Sequence, residues 1–317
     1  MLTVLFATHN GALTLPVMLD AFTQLIAPCE WEIIAVDNCS TDSTRRILES
    51  FRDRLPLRIY EQPRRGKNAA LNMGVAHARG DLLILTDDDV IPAREWLVYL
   101  YDCASANSEY DVFGGSILPH WEAEPDPVVL RNASLQITYA LTKEEWEEGP
   151  IAPTRVWGPN MAVRKRVFDA GYRFDEAVGP TAGNYIMGSE TEFTQRLHKG
   201  GHLSWFCASA RVKHIIRVHQ VAPPWVIARA YRYGRYVWLI HRGRQHEQPS
   251  IMGIPPRQIR RLLGAIARWF RATLSRDEDR KFRSAWEMQF WRGYLGQGIS
   301  SMQTHLVSKQ KKKRVGE

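Results

Sequence analysis

The sequence predicts an α/β fold: a mostly parallel sheet covered by helices, continued by a C-terminal helical extension. Three observations predict it. Short apolar segments alternate with stretches of helical spacing through the first half of the 317 residues. A polar cluster follows each of these segments. After Pro224 the pattern turns helical and basic, with no further strand-like run.

Leu2–Ala7 reads as the first strand, and Leu13–Leu25 has helical spacing of apolar residues. Trp31–Val36 is the second strand. Ser40 or Thr41 can cap a helix running to about Phe51, with Asp42 early in it, where a negative charge suits the helix dipole. Leu57–Tyr60 is a third strand, Lys67–Ala78 a helix, Leu82–Leu85 a fourth strand and Ala93–Ala104 a further helix. The stretch from about Asp111 to Gly201 is less regular. It holds strand-like Val112–Leu118 and Asn160–Val163, a helix within Pro125–Leu141, and a helix over Glu190–Lys199 stopped by Gly200 and Gly201. Leu203–Phe206 and Val212–Ile216 read as two more strands. Helices follow over Trp225–Arg242, Arg257–Leu274 and Asp277–Tyr294. The expected organisation is a sheet domain over residues 1–222, a helical extension over 223–308 and a disordered basic tail over 309–317.

Composition narrows the classes. A hydrophobic fraction of 44% with 24% charged residues excludes global disorder. The net charge of +8 is uneven: basic residues gather after Pro255 and end in Lys309, Lys311, Lys312, Lys313 and Arg314. No nucleic-acid recognition motif accompanies them, so no nucleic-acid partner is expected. The four cysteines are widely spaced and form no CxxC pair, which reads as reduced thiols rather than a zinc site or a disulfide framework. No signal-like N-terminus and no long uncharged apolar run is present. These features place the protein in the cytoplasm, free or peripheral on the inner face of the cell membrane.

A parallel sheet binds ligands beyond the carboxyl ends of its strands. Thr8, His9 and Asn10 follow the first strand, Asp37 and Asn38 the second, Arg64 to Asn68 the third, and Asp87, Asp88 and Asp89 the fourth. All of them therefore fall on one rim. Three adjacent carboxylates repel one another and cost free energy to desolvate. A solvated acidic turn accommodates them, and so does a cation. Oxygen ligation suits Mg²⁺ or Mn²⁺, which share their coordination shell with substrate phosphates. No GxGxxG, GxxxxGK[ST] or GxSxG motif is present, which argues against a dinucleotide dehydrogenase, a P-loop protein and an α/β-hydrolase. Asp37 is placed to accept from a ribose hydroxyl or a base N–H, or to cap the next helix.

Six motifs occur in one order: Thr8-His9-Asn10, Val36-Asp37-Asn38-Cys39-Ser40-Thr41-Asp42, Gly66-Lys67-Asn68-Ala69-Ala70-Leu71-Asn72, Asp87-Asp88-Asp89, Gly158-Pro159-Asn160-Met161-Ala162 and Gly188-Ser189-Glu190-Thr191-Glu192-Phe193. Together they resemble glycosyltransferase family 2, with the GT-A fold, from about Leu2 to His219. The resemblance implies a metal-dependent, inverting transfer of sugar from a nucleotide-diphosphate sugar of UDP or GDP type to a hydroxyl acceptor, a glycan or a lipid-linked sugar. It assigns Thr8, Asn10, Asp37, Lys67, Asn68, Asp87 and Asp88 to the nucleotide, and Asp89 with His214 to Mn²⁺ or Mg²⁺. Trp157, Gly158, Asn160 and Glu192 fall to the donor sugar or acceptor. The family's acidic motif, usually Glu-Asp, here reads Ser189-Glu190, and Glu190 becomes the candidate base. Glu192 is a candidate partner that tunes it. Trp157 and Trp121 suit sugar stacking or core packing equally, and His214 suits a metal or a structural role, with His219 as a competitor.

Other readings remain open at the level of sequence. A non-catalytic nucleotide-sugar-binding or scaffold protein of the same fold would tolerate the Ser189-Glu190 departure. A sugar nucleotidyltransferase would need a Gly-rich triphosphate loop, which is absent, and a glycosidase would need two facing carboxylates. The helical extension mixes aromatics with arginines, which suits an anionic membrane surface or packing with a solvated basic face.

Overall fold

A computed structural model describes residues 1–180, 185–245 and 255–315. It divides into two compact units. The first comprises Met1–Glu122 with Leu135–Ile216, and the second Ala123–Ser134 with Arg217–Glu317. The second unit thus takes residues 123–134 out of the segment expected to form one sheet domain.

The first unit runs β1 (Leu2–Thr8), α1 (Leu15–Phe22), β2 (Trp31–Asp37), α2 (Thr44–Ser50), β3 (Leu57–Glu61), α3 (Lys67–His77), β4 (Leu82–Thr86), β5 (Val90–Pro92), α4 (Trp96–Ala106) and β6 (Val112–Trp121). The chain then leaves for α5 (Pro127–Asn132), which belongs to the second unit. It returns with α6 (Leu135–Tyr139), β7 (Gly149–Pro150), β8 (Met161–Arg164), α7 (Lys165–Asp169), α8 (Ser189–Lys199) and β9 (Ser204–Ile216). Among the described residues the strands form one sheet in the order β3-β2-β1-β4-β8-β6-β9-β5, with β7 beside β9. β3, β2, β1 and β4 are mutually parallel, and β8 is antiparallel to both β4 and β6. The first half of the sheet is therefore the expected parallel one, and the second half is mixed.

β1, β2 and β4 read as continuous apolar runs because helices cover both of their faces. Val4, Leu5, Phe6, Ile33, Ile34, Leu83 and Ile84 are wholly buried. Each such side chain contributes about 1.5–3 kcal/mol by leaving water. One carboxylate lies inside this packing. Glu32 accepts from the Thr3 hydroxyl at 2.9 Å, the Arg79 N–H at 2.8 Å and the Arg58 guanidinium at 2.6 Å.

Several boundaries differ from expectation for identifiable reasons. α2 starts three residues later than Thr41 because Asp42 stays outside it, accepting the Thr44 N–H at 3.0 Å. The two strands expected at Leu203–Phe206 and Val212–Ile216 are one strand, β9. It pairs in parallel with β6 across a register shift between Gly115 and Ser116, with Ser116 donating to the Ala208 carbonyl. Cys103 and Cys207 are bonded as a disulfide rather than reduced. α4 packs on β9 and brings their Cα atoms to 6.2 Å, within bridging range. Cys29 and Cys39 are free thiols.

The second unit is helical: α5, α9 (Pro223–Gln245), α10 (Pro256–Thr273) and α11 (Glu278–Val315). Its core gathers Trp238, Ala265, Trp291 and Tyr294. α9 and α11 cross with backbones in contact at Gly234 and Gly293, where any Cβ would strike a carbonyl of the facing helix. Asp279 on α11 ties down α5 through Arg131 and Asn132, both at 2.9 Å. Residues 309–315, expected as an irregular tail, continue α11. Among the described residues no helix is long and apolar enough to cross a membrane.

Candidate active site

The parallel register sets the site. Thr8 pairs with Asp37, and Phe6 with Thr86, so β1, β2 and β4 end at one rim. There a cleft of about 490 Å³ opens, lined by residues that include Thr8, His9, Asn38, Arg65, Lys67, Asp87, Asp88, Asp89 and Pro180. The rim predicted from topology is thus a real concavity of the first unit.

Lys67, the first residue of α3, stands at its centre. Its Nζ donates to Asp87 Oδ1 at 2.5 Å and to Glu190 Oε1 at 2.7 Å. Burial alone would favour the neutral amine, but the two carboxylates hold the ammonium well above the ordinary lysine range. Asp87 is pushed up by burial and by the nearby Glu190 and Asp89 charges, against the pull of Lys67. Asp88 also faces the cleft. Burial and its neighbours Asp89 and Asp87 raise it to about 7, although the Thr8 hydroxyl donates to it at 2.5 Å. The rim therefore carries more negative charge than its own cations offset.

His214 reaches the same place from β9. β5 follows the acidic run directly and pairs antiparallel with β9, which sets Val90 opposite His214. His214 Nδ1 lies 2.7 Å from the Tyr139 carbonyl oxygen, which can only accept, so Nδ1 carries the proton. Nε2 is then turned toward Asp89 Oδ1, 3.4 Å away. Burial opposes a charged imidazole, but Asp89 outweighs it and raises the pKa. One oxygen and one nitrogen donor this close are of the chemical type that would suit Mn²⁺ or Mg²⁺. Among the described residues no group of three or more such donors forms a complete metal cage. Asp89 and His214 are one pair of candidate donors, and an acidic rim is a field that suits a cation.

Glu190 lies in the first turn of α8, after Gly188 in the left-handed conformation (φ 86°). Gly158 packs its backbone against this carboxylate; a Cβ there would sit 2.7 Å from Glu190 Oε1. The Gly158-Pro159-Asn160 motif thus approaches the candidate base itself. Glu192 does not join Glu190. It makes a two-point pair with Arg196 one turn on, at 2.9 and 3.0 Å, because i and i+4 share a helix face. Glu190's partner is Lys67, 123 residues away in sequence.

Several of the residues singled out in the sequence make hydrogen bonds within the protein. Asn68 is buried and spends both amide hydrogens on the Asp175 and Val178 carbonyls while accepting from Ser189. Asn160 is fully buried, donating to the Ser116 and Ala210 carbonyls and accepting from the Trp96 indole. Their amides hold the loops that carry Lys67, Glu190 and Gly158. Asn10 (φ 55°) accepts from the Thr41 N–H at 2.8 Å and braces the loop after β2. Asp37 is buried at the end of β2, where Oδ1 accepts the Ser40 N–H at 3.1 Å. Trp157 stands 5.5 Å from Trp146 and donates to the Thr154 carbonyl. Trp121 meets Tyr139 edge-on at 5.3 Å. His219 belongs to the second unit, beside Trp225.

Two cleft residues were placed on the rim by topology but given no role there. Arg65 lines the cleft, whereas its neighbour Arg64 pairs with Glu176 at 2.5 Å. Asn38 organises the wall, since its side chain bonds the Gln62 and Arg64 carbonyls and the Gly66 N–H. Its place directly after Asp37 was the available signal.

Residues 3–171 match the family described as glycosyl transferase family 2. The chain is similar to Glycosyltransferase AglE of Haloferax volcanii, 26% identical over 248 residues that cover 76% of this chain and 75% of that protein. Among solved structures it resembles the mannosyltransferase PcManGT from Pyrobaculum calidifontis in complex with GDP-Man and Mn²⁺. That match has a TM-score of 0.60 at 17% identity and covers 93% of this chain and 86% of that one. Staphylococcus aureus TarS 1-349 in complex with UDP-GlcNAc gives 0.55 at 15% identity, over 94% and 92%. At these identities the solved structures speak to the fold. With the family match over more than half of its length, the chain belongs to glycosyl transferase family 2 and is a glycosyltransferase of GT-A fold.

Proposed function

We propose that this protein moves a sugar from a nucleotide-diphosphate sugar, of UDP or GDP type, to a hydroxyl of a glycan or lipid-linked acceptor, with inversion at the anomeric carbon. One observation carries the reading: Lys67, which lines a cleft at the carboxyl ends of a parallel sheet, joins the acidic run to Glu190. The donors bound by the two solved relatives, GDP-Man and UDP-GlcNAc, support a nucleotide-sugar substrate, and the Mn²⁺ beside GDP-Man supports a divalent ion.

Asp89 and His214 would hold Mn²⁺ or Mg²⁺. When bound, that ion neutralises charge on the departing diphosphate. The chain's own groups do the remainder. Lys67 has a third N–H beyond its two carboxylate contacts, available to a phosphate oxygen. Arg65 adds a second cation on the cleft wall. Asp37, at the end of β2, and Asn10, in the loop after β1, would face the nucleotide, and Trp157 and Gly158 would flank the approach to the sugar. Glu190 accepts the proton of the acceptor hydroxyl while that oxygen forms its bond to the anomeric carbon. The carbon–phosphate oxygen bond breaks, and its electron pair leaves with the nucleoside diphosphate. A single displacement from the face opposite the diphosphate inverts the centre.

Glu190→Gln tests the assignment, because the amide keeps the shape and loses the basicity. Donor turnover, read as release of nucleoside diphosphate, should fall by about 100-fold or more, while binding of the donor is kept. Turnover at the parent rate would remove Glu190 from the mechanism.

A further inference from the structure

α10 carries three different faces along one length. Gln258, Ala265 and Ala272 are buried, and Leu262 packs beside the Trp238–Trp291 core. A second face is apolar and exposed: Leu263 (59%), Ile266 (42%) and Phe270 (61%), extended by Leu274 (79%) just past the last turn. Spacings of three and four residues put these side chains in one stripe. The third face is basic. Residues 256–273 contain five arginines and no acidic residue, and Arg260 and Arg271 border the stripe directly. Arg268 of this helix pairs with Glu287 at 2.5 Å.

An exposed apolar stripe of this kind calls for a covering phase. A second copy docked face to face would set arginines against arginines along the border. A neutral apolar partner would leave the arginines without counter-charge. An anionic bilayer surface meets both demands, with acyl chains for the stripe and headgroup phosphates for the guanidinium groups. We propose that α10 seats the protein flat on an anionic bilayer, with Leu263, Ile266, Phe270 and Leu274 entering the acyl boundary. The basic border gives the preference for negative headgroups. α10 belongs to the second unit, and its seating on a bilayer is independent of the donor chemistry.

The full chain is tested by flotation with two vesicle types: pure phosphatidylcholine, and equal parts of phosphatidylcholine and phosphatidylglycerol. The parent should bind the anionic vesicles at least about tenfold more tightly than the neutral ones, and more weakly as salt rises. The double variant Leu263→Ser/Phe270→Ser keeps every arginine and the basic C-terminal residues, so it isolates the stripe. Its partition into anionic vesicles should fall about tenfold. Arg260→Glu/Arg271→Glu should instead remove the preference for negative lipid while leaving the stripe in place. A thermal melt matching the parent's establishes that each variant is folded, and both substituted sets are exposed. The proposal is overturned if the parent binds neither vesicle, or if folded Leu263→Ser/Phe270→Ser binds anionic vesicles as tightly as the parent. It is equally overturned if the serine variant loses only self-association in solution.

Discussion

At the carboxyl ends of β1, β2 and β4, charged side chains are sheltered and paired with one another; along α10 they stand in water beside exposed apolar ones. Lys67 stays an ammonium in a partly sheltered cleft because two carboxylates offset its lost hydration. Arg268 and Glu287 form a pair just as short on a surface where water already solvates both partners. The contrast teaches that distance alone does not rank ionic contacts. Burial decides whether removing one partner leaves a stranded charge or merely a hydrated one.

The largest effect should come from breaking the first region. Lys67→Met leaves Asp87 and Glu190 facing each other without their cation. It should cost about 2–3 kcal/mol in denaturant melts and abolish donor turnover. A stability unchanged from the parent would show that solvent already screens the pair.

Glu32 sharpens the comparison through pH. Burial would raise its pKa, but Arg58, the Arg79 N–H and Thr3 overcome that and lower it. A depressed carboxylate contributes stability that is fully present above the unfolded value near 4.5 and is lost as pH falls through the folded value. Below about pH 4.5 the parent should therefore lose stability more steeply than Glu32→Gln, by about 1–2 kcal/mol overall, measured as melts across an acid series. Parallel curves would remove Glu32 from the acid response.

The smallest effect belongs to the surface. Arg268→Ala should change stability by less than about 1 kcal/mol, and the change should shrink with added salt. A larger, salt-independent loss would mean that this stretch of α10 is packed more tightly than its exposure indicates.

Much of the first unit was legible in the sequence, because alternating apolar and helical segments dictate a parallel sheet, and a parallel sheet dictates a common rim. Asp87, Asp88 and Asp89 were placed on the rim that way, whereas His214, inside a strand, was drawn in by the family resemblance alone. The Lys67–Glu190 contact was not legible, since no local pattern links residues on α3 and α8. The Cys103–Cys207 bond was hidden for the same reason: α4 and β9 meet only in the folded sheet. Asn68 and Asn160 show the converse. They sit inside diagnostic motifs, yet their amides bond backbone carbonyls in the interior, because buried loops need partners for their polar groups. A motif marks residues that build a site as readily as those that touch its ligand. In the second unit the apolar–basic pattern of α10 was visible, but only the fold separates its buried stripe from its exposed one.

Thermal unfolding with UDP or GDP, with and without Mn²⁺, for the parent and for Asp89→Asn, decides whether Asp89 and His214 hold a divalent cation against a nucleoside diphosphate. One nucleotide should raise the parent's melting temperature only when Mn²⁺ is present, and the asparagine variant should lose the increment. The same increment without metal, or an undiminished one in Asp89→Asn, would contradict that assignment.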